Sequence, residues 1–149
     1  MPKGRGLGLS FYFSHAAHVA EVAEVSVDEN KKIKVHKVTV AVDIGPVMNM
    51  SGAKSQVEGA IVDGLSTMLD LEITMEKGRI EQSNFHNYRP LRIAHTPIID
   101  THFIQSDYGP TGIGEPALPP LAPAVANAIF AATGERVRTM PISAEGYRV

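Results

Sequence analysis

The first 44 residues constrain the fold most, because three successive stretches carry a pattern typical of β-strands. Residues 17–27 are rich in valine and are followed by turn residues, which favours one arm of a hairpin, although the spacing of Val19, Val22 and Val25 also fits a helix. Residues 33–44 form the returning arm. Residues 6–14 alternate strictly, so one face of this strand is strongly apolar, with Leu7, Leu9, Phe11 and Phe13.

The returning arm changes its apolar face midway. Ile33 and Val35 share one parity, whereas Val38, Val40 and Val42 share the other. A regular strand cannot exchange its buried face, because successive side chains point to opposite sides of the sheet. The pattern therefore predicts a β-bulge near residues 36–37.

Two helices are predicted. The first is capped by Asn49 or Ser51 and runs to about Leu69. Its buried stripe follows an i, i+4 ladder, which consists of Val57, Ile61, Leu65 and Leu69. The second helix runs over residues 120–133, with Gly134 at its C-terminal end.

Further strands are expected at residues 98–106 and in a short hairpin over residues 72–82. Strands and helices do not alternate regularly, so the order indicates an α+β fold. We expect a two-layer sandwich in which the helices cover one face of a mainly antiparallel sheet. With 149 residues, 44% of them hydrophobic, the chain is predicted to form a single domain over residues 1–149.

Composition excludes several classes of function. A net charge of −2 and scattered basic residues give no footprint for nucleic acid or an anionic membrane. The chain has no cysteine, so any iron–sulfur centre would lie on another chain. No apolar run approaches the ~20 residues that span a bilayer. The cytoplasm is the default location, and a larger subunit with an export signal would be periplasmic.

The loop at residues 111–116 carries the main candidate for chemistry. Gly112 and Gly114 allow the backbone to approach a ligand, and Pro116 restrains Glu115 to an extended conformation. Glu115 is then either a base held dry against a bound group or a carboxylate favoured near a helix N-terminus. The loop holds no second carboxylate, so a glycosidase pair is not supported.

Four segments, residues 41–49, 56–66, 82–88 and 114–134, together resemble one known family. The last segment resembles the C-terminal signature of the large subunit of molybdenum hydroxylases, the xanthine dehydrogenase and aldehyde oxidase family. The similarity is strongest to the isoquinoline 1-oxidoreductase beta-subunit branch. The segments occur in the family's order and cover nearly the whole chain.

The resemblance implies roles for three residues. Glu115 matches the general base in the hydroxylation of an aldehyde or N-heteroaromatic carbon with water-derived oxygen. Gln56 matches a glutamine that hydrogen-bonds the pterin of a molybdopterin-type molybdenum cofactor. Gly114 matches a position where the backbone passes near the cofactor. In the family the cofactor itself holds the metal, so no side chain here is expected to ligate it.

The family's large subunits are several times longer than this chain. The resemblance therefore implies upstream molybdenum-binding domains, an iron–sulfur subunit as partner, and little activity or cofactor in the isolated chain. A domain without those neighbours is expected to expose apolar surface and form a homo-oligomer. The alternative is a noncatalytic docking or dimerisation module derived from the same family.

The six histidines show no spacing typical of a zinc or non-haem iron site. His15 and His18 lie three apart, which on a strand directs them to opposite faces. We interpret the histidines as structural or surface residues. Asp43 is interpreted as part of an Asp-x-Gly turn between a strand and a helix.

Overall fold

A computed structural model describes residues 2–149. The two helices are α1 (Met50–Asp70) and α2 (Leu121–Thr133). Short 3₁₀ turns occur at Phe85–Asn87, Ile93–His95 and Ile142–Glu145. The strands are β1 (Arg5–Ser14), β2 (Ala17–Val27), β3 (Ile33–Asp43), β4 (Met75–Glu76), β5 (Arg79–Ile80) and β6 (Ile98–Phe103).

The main sheet has the strand order β1-β2-β3-β6. The first three strands pair antiparallel, and β6 pairs parallel to β3. The predicted bulge is confirmed, because Glu24 lies opposite Lys37 while Val25 lies opposite Val35, which leaves His36 as the extra residue. The inserted residue moves Val38 onto the same face as Val35 and so reconciles the two parities.

Both helices cover the same face of the sheet, which confirms the α+β two-layer fold. β1 meets α2 through glycine: a Cβ on Gly6 would lie 2.2 Å from the Ala128 carbonyl oxygen, and one on Gly8 would lie 2.0 Å from that of Ala124. Only hydrogen side chains allow the helix backbone so close to the strand. The core between the layers includes Val19, Val25, Val38, Val40, Val42, Ile61, Leu65, Leu121 and Ile129.

The opposite face of the sheet is open, and on β1 it carries the larger apolar side chains. Leu9 and Phe11 are each 62% exposed. Leu7 and Phe13 are also exposed. The apolar face predicted for residues 6–14 therefore exists, but it points away from the helices.

The first helix follows its sequence signals closely. The Asn49 side chain accepts a hydrogen bond from the Gly52 amide at 3.0 Å, which confirms Asn49 as the cap. Of the predicted stripe, Val57, Ile61 and Leu65 are buried and Leu69 is half-buried.

Other boundaries differ by a few residues from those predicted. The hairpin is only two residues per strand, and β6 ends at Phe103, three residues early. α2 begins at Leu121 with Pro123 in its first turn, and the left-handed Gly134 ends it at φ 80°. In the part of the chain from Pro2 to Val149, no helix combines the length and apolar character needed to cross a membrane.

Candidate active site

Three strand ends and a hairpin turn converge at one end of the sheet, where β1, β3 and β6 finish and β2 begins. Asp43, the last residue of β3, accepts hydrogen bonds from the Ser106 hydroxyl at 2.6 Å and the Gly45 amide at 3.1 Å. These two bonds hold the pKa of Asp43 below its usual value. The predicted Asp-x-Gly turn is confirmed, and it anchors the loop that follows β6.

The loop before α2 directs Glu115 outward. Ile113 and Ala117 are buried on either side of it, whereas the Glu115 side chain is 79% exposed. The Glu115 carbonyl accepts the Leu118 amide at 2.9 Å, and the Thr111 amide donates to Ile44 at 3.0 Å. The loop is therefore fixed at several points, but this chain alone does not keep the carboxylate dry.

Gln56 and Gly114 are both exposed. Gly114 precedes Glu115 in the same loop, whereas Gln56 lies in the second turn of α1. Within residues 2–149, no hydrogen bond or ion pair joins Gln56 to Glu115. The fold thus places two of the three predicted site residues together and leaves the third on a separate element.

Glycines mark both elements. Of the 13 glycines, nine either adopt a positive φ or have protein atoms within 4 Å of where a Cβ would stand. The other four have neither, so nothing in the described chain requires glycine at these positions. One lies on α1, three residues beyond Gln56, and the other three precede Glu115. These four are Gly59, Gly109, Gly112 and Gly114.

A groove beside α1 extends the surface around Gly59. Its volume is about 760 Å³. Glu58 and Asp63 of α1 line it from one side, and Tyr88 and Pro97 line it from the other. Since Gly59 opens into this groove, a group outside the described chain can approach the α1 backbone there.

The β1–β2 turn brings His15 to Glu115, which the sequence did not predict. The His15 Nε2 atom lies 3.5 Å from Glu115 Oε2. His15 occupies the turn between β1 and β2, and only His18 belongs to β2, so the two histidines do not share a strand. The available signal was the turn itself, a break between two runs of strand-like residues.

An aromatic cluster lies on the open face at this end of the sheet. The His18 ring lies 4.6 Å from the Phe13 ring and 5.9 Å from the Tyr108 ring, centre to centre. Phe13 and Tyr108 are exposed. The cluster therefore forms a flat, exposed aromatic surface next to the β1–β2 turn.

Glu21 is a second carboxylate that sequence reasoning missed. It lies in β2, fully buried on the helix side, and neither oxygen has a hydrogen-bond partner. Burial raises its pKa to about 8. The sequence signal for its burial was its position among the inward-facing residues of β2, all the rest of which are apolar. That row is Ala17, Val19, Glu21, Ala23 and Val25.

Comparison with known proteins decides the family. Residues 2–97 match the family model described as "Molybdopterin cofactor-binding domain". The chain belongs to this family. Gln56 lies within the matched residues, and Glu115 lies beyond them.

Two curated relatives are similar to most of this chain. The chain is 43% identical to the membrane-bound aldehyde dehydrogenase [pyrroloquinoline-quinone] of Gluconacetobacter polyoxogenes, over 81% of this chain and 16% of that protein. It is 36% identical to isoquinoline 1-oxidoreductase subunit beta of Brevundimonas diminuta, over 93% of this chain and 18% of that protein. The chain therefore spans less than a fifth of each relative.

Solved structures share the fold. The chain superposes on quinoline 2-oxidoreductase from Pseudomonas putida 86 with a TM-score of 0.77 and 21% identity, over 85% of this chain and 17% of that one. The predicted resemblance to a molybdenum hydroxylase large subunit is confirmed. The molybdopterin cofactor-binding domain family also supports the predicted cofactor for the complete enzyme.

The exposed glycines fit a bound cofactor. They leave backbone open on α1 and on the Glu115 loop, where the chain's own packing does not need it. No group of three or more His, Cys, Asp or Glu side chains within residues 2–149 is arranged to hold a metal ion. The open backbone at these glycines leaves room for an organic group to approach.

Proposed function

We propose that this chain is the part of a molybdenum-dependent oxidoreductase that supplies the general base, Glu115, and part of the cofactor surface. The complete enzyme would hydroxylate an aldehyde or N-heteroaromatic carbon with water-derived oxygen. The substrate class follows from the relatives, which are named as aldehyde and isoquinoline enzymes. The observation that carries the proposal is the set of four glycines that no contact within the described chain requires to be glycine.

When bound, the molybdenum cofactor would accept the two electrons that leave the substrate carbon. Gln56 would hydrogen-bond the pterin, since an amide offers both donors and an acceptor. Gly114 would let the loop backbone approach the cofactor closely. The upstream domains of the complete subunit would cover this surface, and an iron–sulfur subunit would receive the electrons.

Glu115 would perform the proton transfer. Converting an aldehyde to an acid adds one oxygen from water and releases two protons with the two electrons. A base that takes one of these protons must lie within hydrogen-bond reach of it. Glu115 points away from its own domain and is held at both flanks. Neighbouring domains would supply the burial that tunes a catalytic carboxylate.

The test is Glu115→Gln in the complete enzyme. The amide keeps the size of the side chain but cannot act as a base. We expect kcat to fall by about 10²-fold or more, with molybdenum content and thermal stability nearly unchanged. Glu29→Gln is the matched control, because Glu29 is an exposed glutamate in the β2–β3 turn at the far end of the sheet. A molybdenum-replete Glu115→Gln enzyme with normal kcat would sink the assignment.

The alternative function, a noncatalytic docking or dimerisation module, is favoured by the open face of β1. Leu9 and Phe11 are exposed apolar side chains, and symmetric self-association is a common way to bury such side chains. We therefore expect the isolated chain to form a homodimer or larger oligomer without stoichiometric molybdenum. Light scattering on Leu9→Glu should show a smaller particle than wild type. A 16.0 kDa monomer for wild type at high concentration would contradict self-association.

A further inference from the structure

The β1–β2 turn adopts a conformation that its residues disfavour. His15 has φ 53° and Ala16 has φ 61°, and they form a two-residue connection between paired strands. Such turns are usually built from Asn-Gly, because a β carbon disfavours the left-handed region. Strain of this kind concentrates at functional sites. The turn places the imidazole of His15 beside the loop that carries Glu115.

Both nitrogens of the His15 ring face a partner. Nδ1 lies 2.6 Å from the hydroxyl of Ser14, and Nε2 lies 3.5 Å from Oε2 of Glu115. A hydroxyl that donates to Nδ1 places the proton of the neutral ring on Nε2, facing the carboxylate. The Nε2 contact is longer than a normal hydrogen bond, as is common for catalytic contacts before substrate binds.

Within residues 2–149, His15 is the one basic side chain within 4 Å of the Glu115 carboxylate. The contact involves one carboxylate oxygen and leaves Oε1 free. If this 3.5 Å gap closes to a hydrogen bond, the carboxylate is held by one oxygen and the other keeps a defined direction. An exposed, unrestrained glutamate would instead sample several rotamers, which lowers the fraction of time spent in a reactive geometry.

We propose that His15 is a positioning residue for Glu115: its Nε2–H holds Oε2, Ser14 fixes the ring through Nδ1, and Oε1 remains free as the base. This inference rests on the proposed function of Glu115. Ser14 and His15 thus extend the site from the Glu115 loop to the β1–β2 hairpin. His15 acts only through the carboxylate and takes no proton itself.

The first test measures the ring directly in the 149-residue chain. Two-bond ¹H–¹⁵N correlation spectra report which nitrogen carries the proton in neutral histidine. We expect His15 to be predominantly Nε2-protonated and Ser14→Ala to shift it toward a mixture. The His86 ring, which is exposed, serves as internal reference. A wild-type His15 ring protonated mainly on Nδ1 would overturn the proposal.

The second test is a double-mutant cycle in the complete enzyme. His15→Asn keeps a residue that tolerates positive φ but removes the imidazole. We expect kcat to be about 10-fold lower, similar to the loss when a residue that orients a functional side chain is removed. We expect no further loss of kcat when His15→Asn is combined with Glu115→Gln. Ala16→Gly, which relaxes the same turn and keeps His15, should retain wild-type kcat.

The outcomes separate the two ideas. Normal kcat in Glu115→Gln contradicts the proposed function itself. If Glu115→Gln is impaired but His15→Asn is as active as wild type, the positioning role is wrong and the base remains. An equal His15→Asn effect in both backgrounds would mean that His15 acts independently of Glu115, which also overturns the inference.

Discussion

Glu21 and Glu115 have the same side chain but lie in different regions of the molecule. Glu21 lies in β2, inside the sheet, and Glu115 lies in the loop before α2. Glu21 is fully buried without a hydrogen-bond partner, and its pKa is raised to about 8. Glu115 is 79% exposed and lies near His15. The residue proposed for catalysis thus lies where water reaches it, and the residue with the perturbed pKa lies in the core. The raised pKa of Glu21 therefore reflects its burial in the core and does not mark the proposed site.

The largest expected effect tests how rigid the core region is. In Gly8→Ala the new Cβ would stand 2.0 Å from the Ala124 carbonyl oxygen, and backbone atoms cannot move aside as a side chain can. We expect a loss of about 3 kcal/mol or more in the free energy of unfolding, measured by urea denaturation with circular dichroism. Gly112→Ala, with open space around the Cβ, should lose less than about 0.5 kcal/mol. Similar losses in both variants would erase the contrast.

The next effect tests the buried carboxylate. Because the folded-state pKa of Glu21 exceeds its ordinary value of 4.5, unfolding releases a proton between pH 4.5 and about 8. The contribution of Glu21 to stability is therefore greatest below pH 4.5 and falls as pH rises through this window. Relative to Glu21→Gln, the wild type should lose on the order of 3 kcal/mol between pH 4.5 and pH 7. Denaturant titrations at several pH values measure it. Parallel pH profiles for the two proteins would show that Glu21 is not buried as a neutral acid.

The smallest effect tests the loop. Glu115→Ala removes an exposed side chain whose only ion-pair contact within residues 2–149 is the 3.5 Å approach to His15. We expect the free energy of unfolding to change by less than about 0.5 kcal/mol, as judged by thermal and urea melts of the isolated chain. A loss above about 1 kcal/mol would favour the helix-dipole interpretation of Glu115.

Much of the fold could be predicted because local patterns and tertiary packing agree. Period two identified β1, and valine enrichment with the following turn favoured β2. The switch of parity in β3 located the bulge at His36, and Asn49 and Gly134 marked helix ends. The faces of β1 were harder, because hydrophobicity alone does not say which face is covered. Gly6 and Gly8 decide it by admitting α2 to backbone contact.

The site was predictable only in part. The resemblance identified Glu115, Gln56 and Gly114 as candidates, but all three are exposed in the described chain, so its packing does not mark them as a site. The approach of His15 to Glu115 joins residues 100 positions apart, and no local pattern encodes it. The burial of Glu21 likewise depends on helices that lie far along the chain. Local periodicity shows only that it points inward.

The contact between β1 and α2 also sets an order of events during folding. The Ser10 hydroxyl bonds to the Pro120 carbonyl, and the Asn127 amide donates to the Leu9 carbonyl, so these partners are more than 100 residues apart. β1 therefore cannot complete its packing until α2, which follows it by more than 100 residues, has been synthesised. Such long-range pairing slows folding. Meanwhile an apolar strand with one unpaired edge stays accessible to other chains. The nascent chain is most vulnerable to aggregation until α2 emerges and docks.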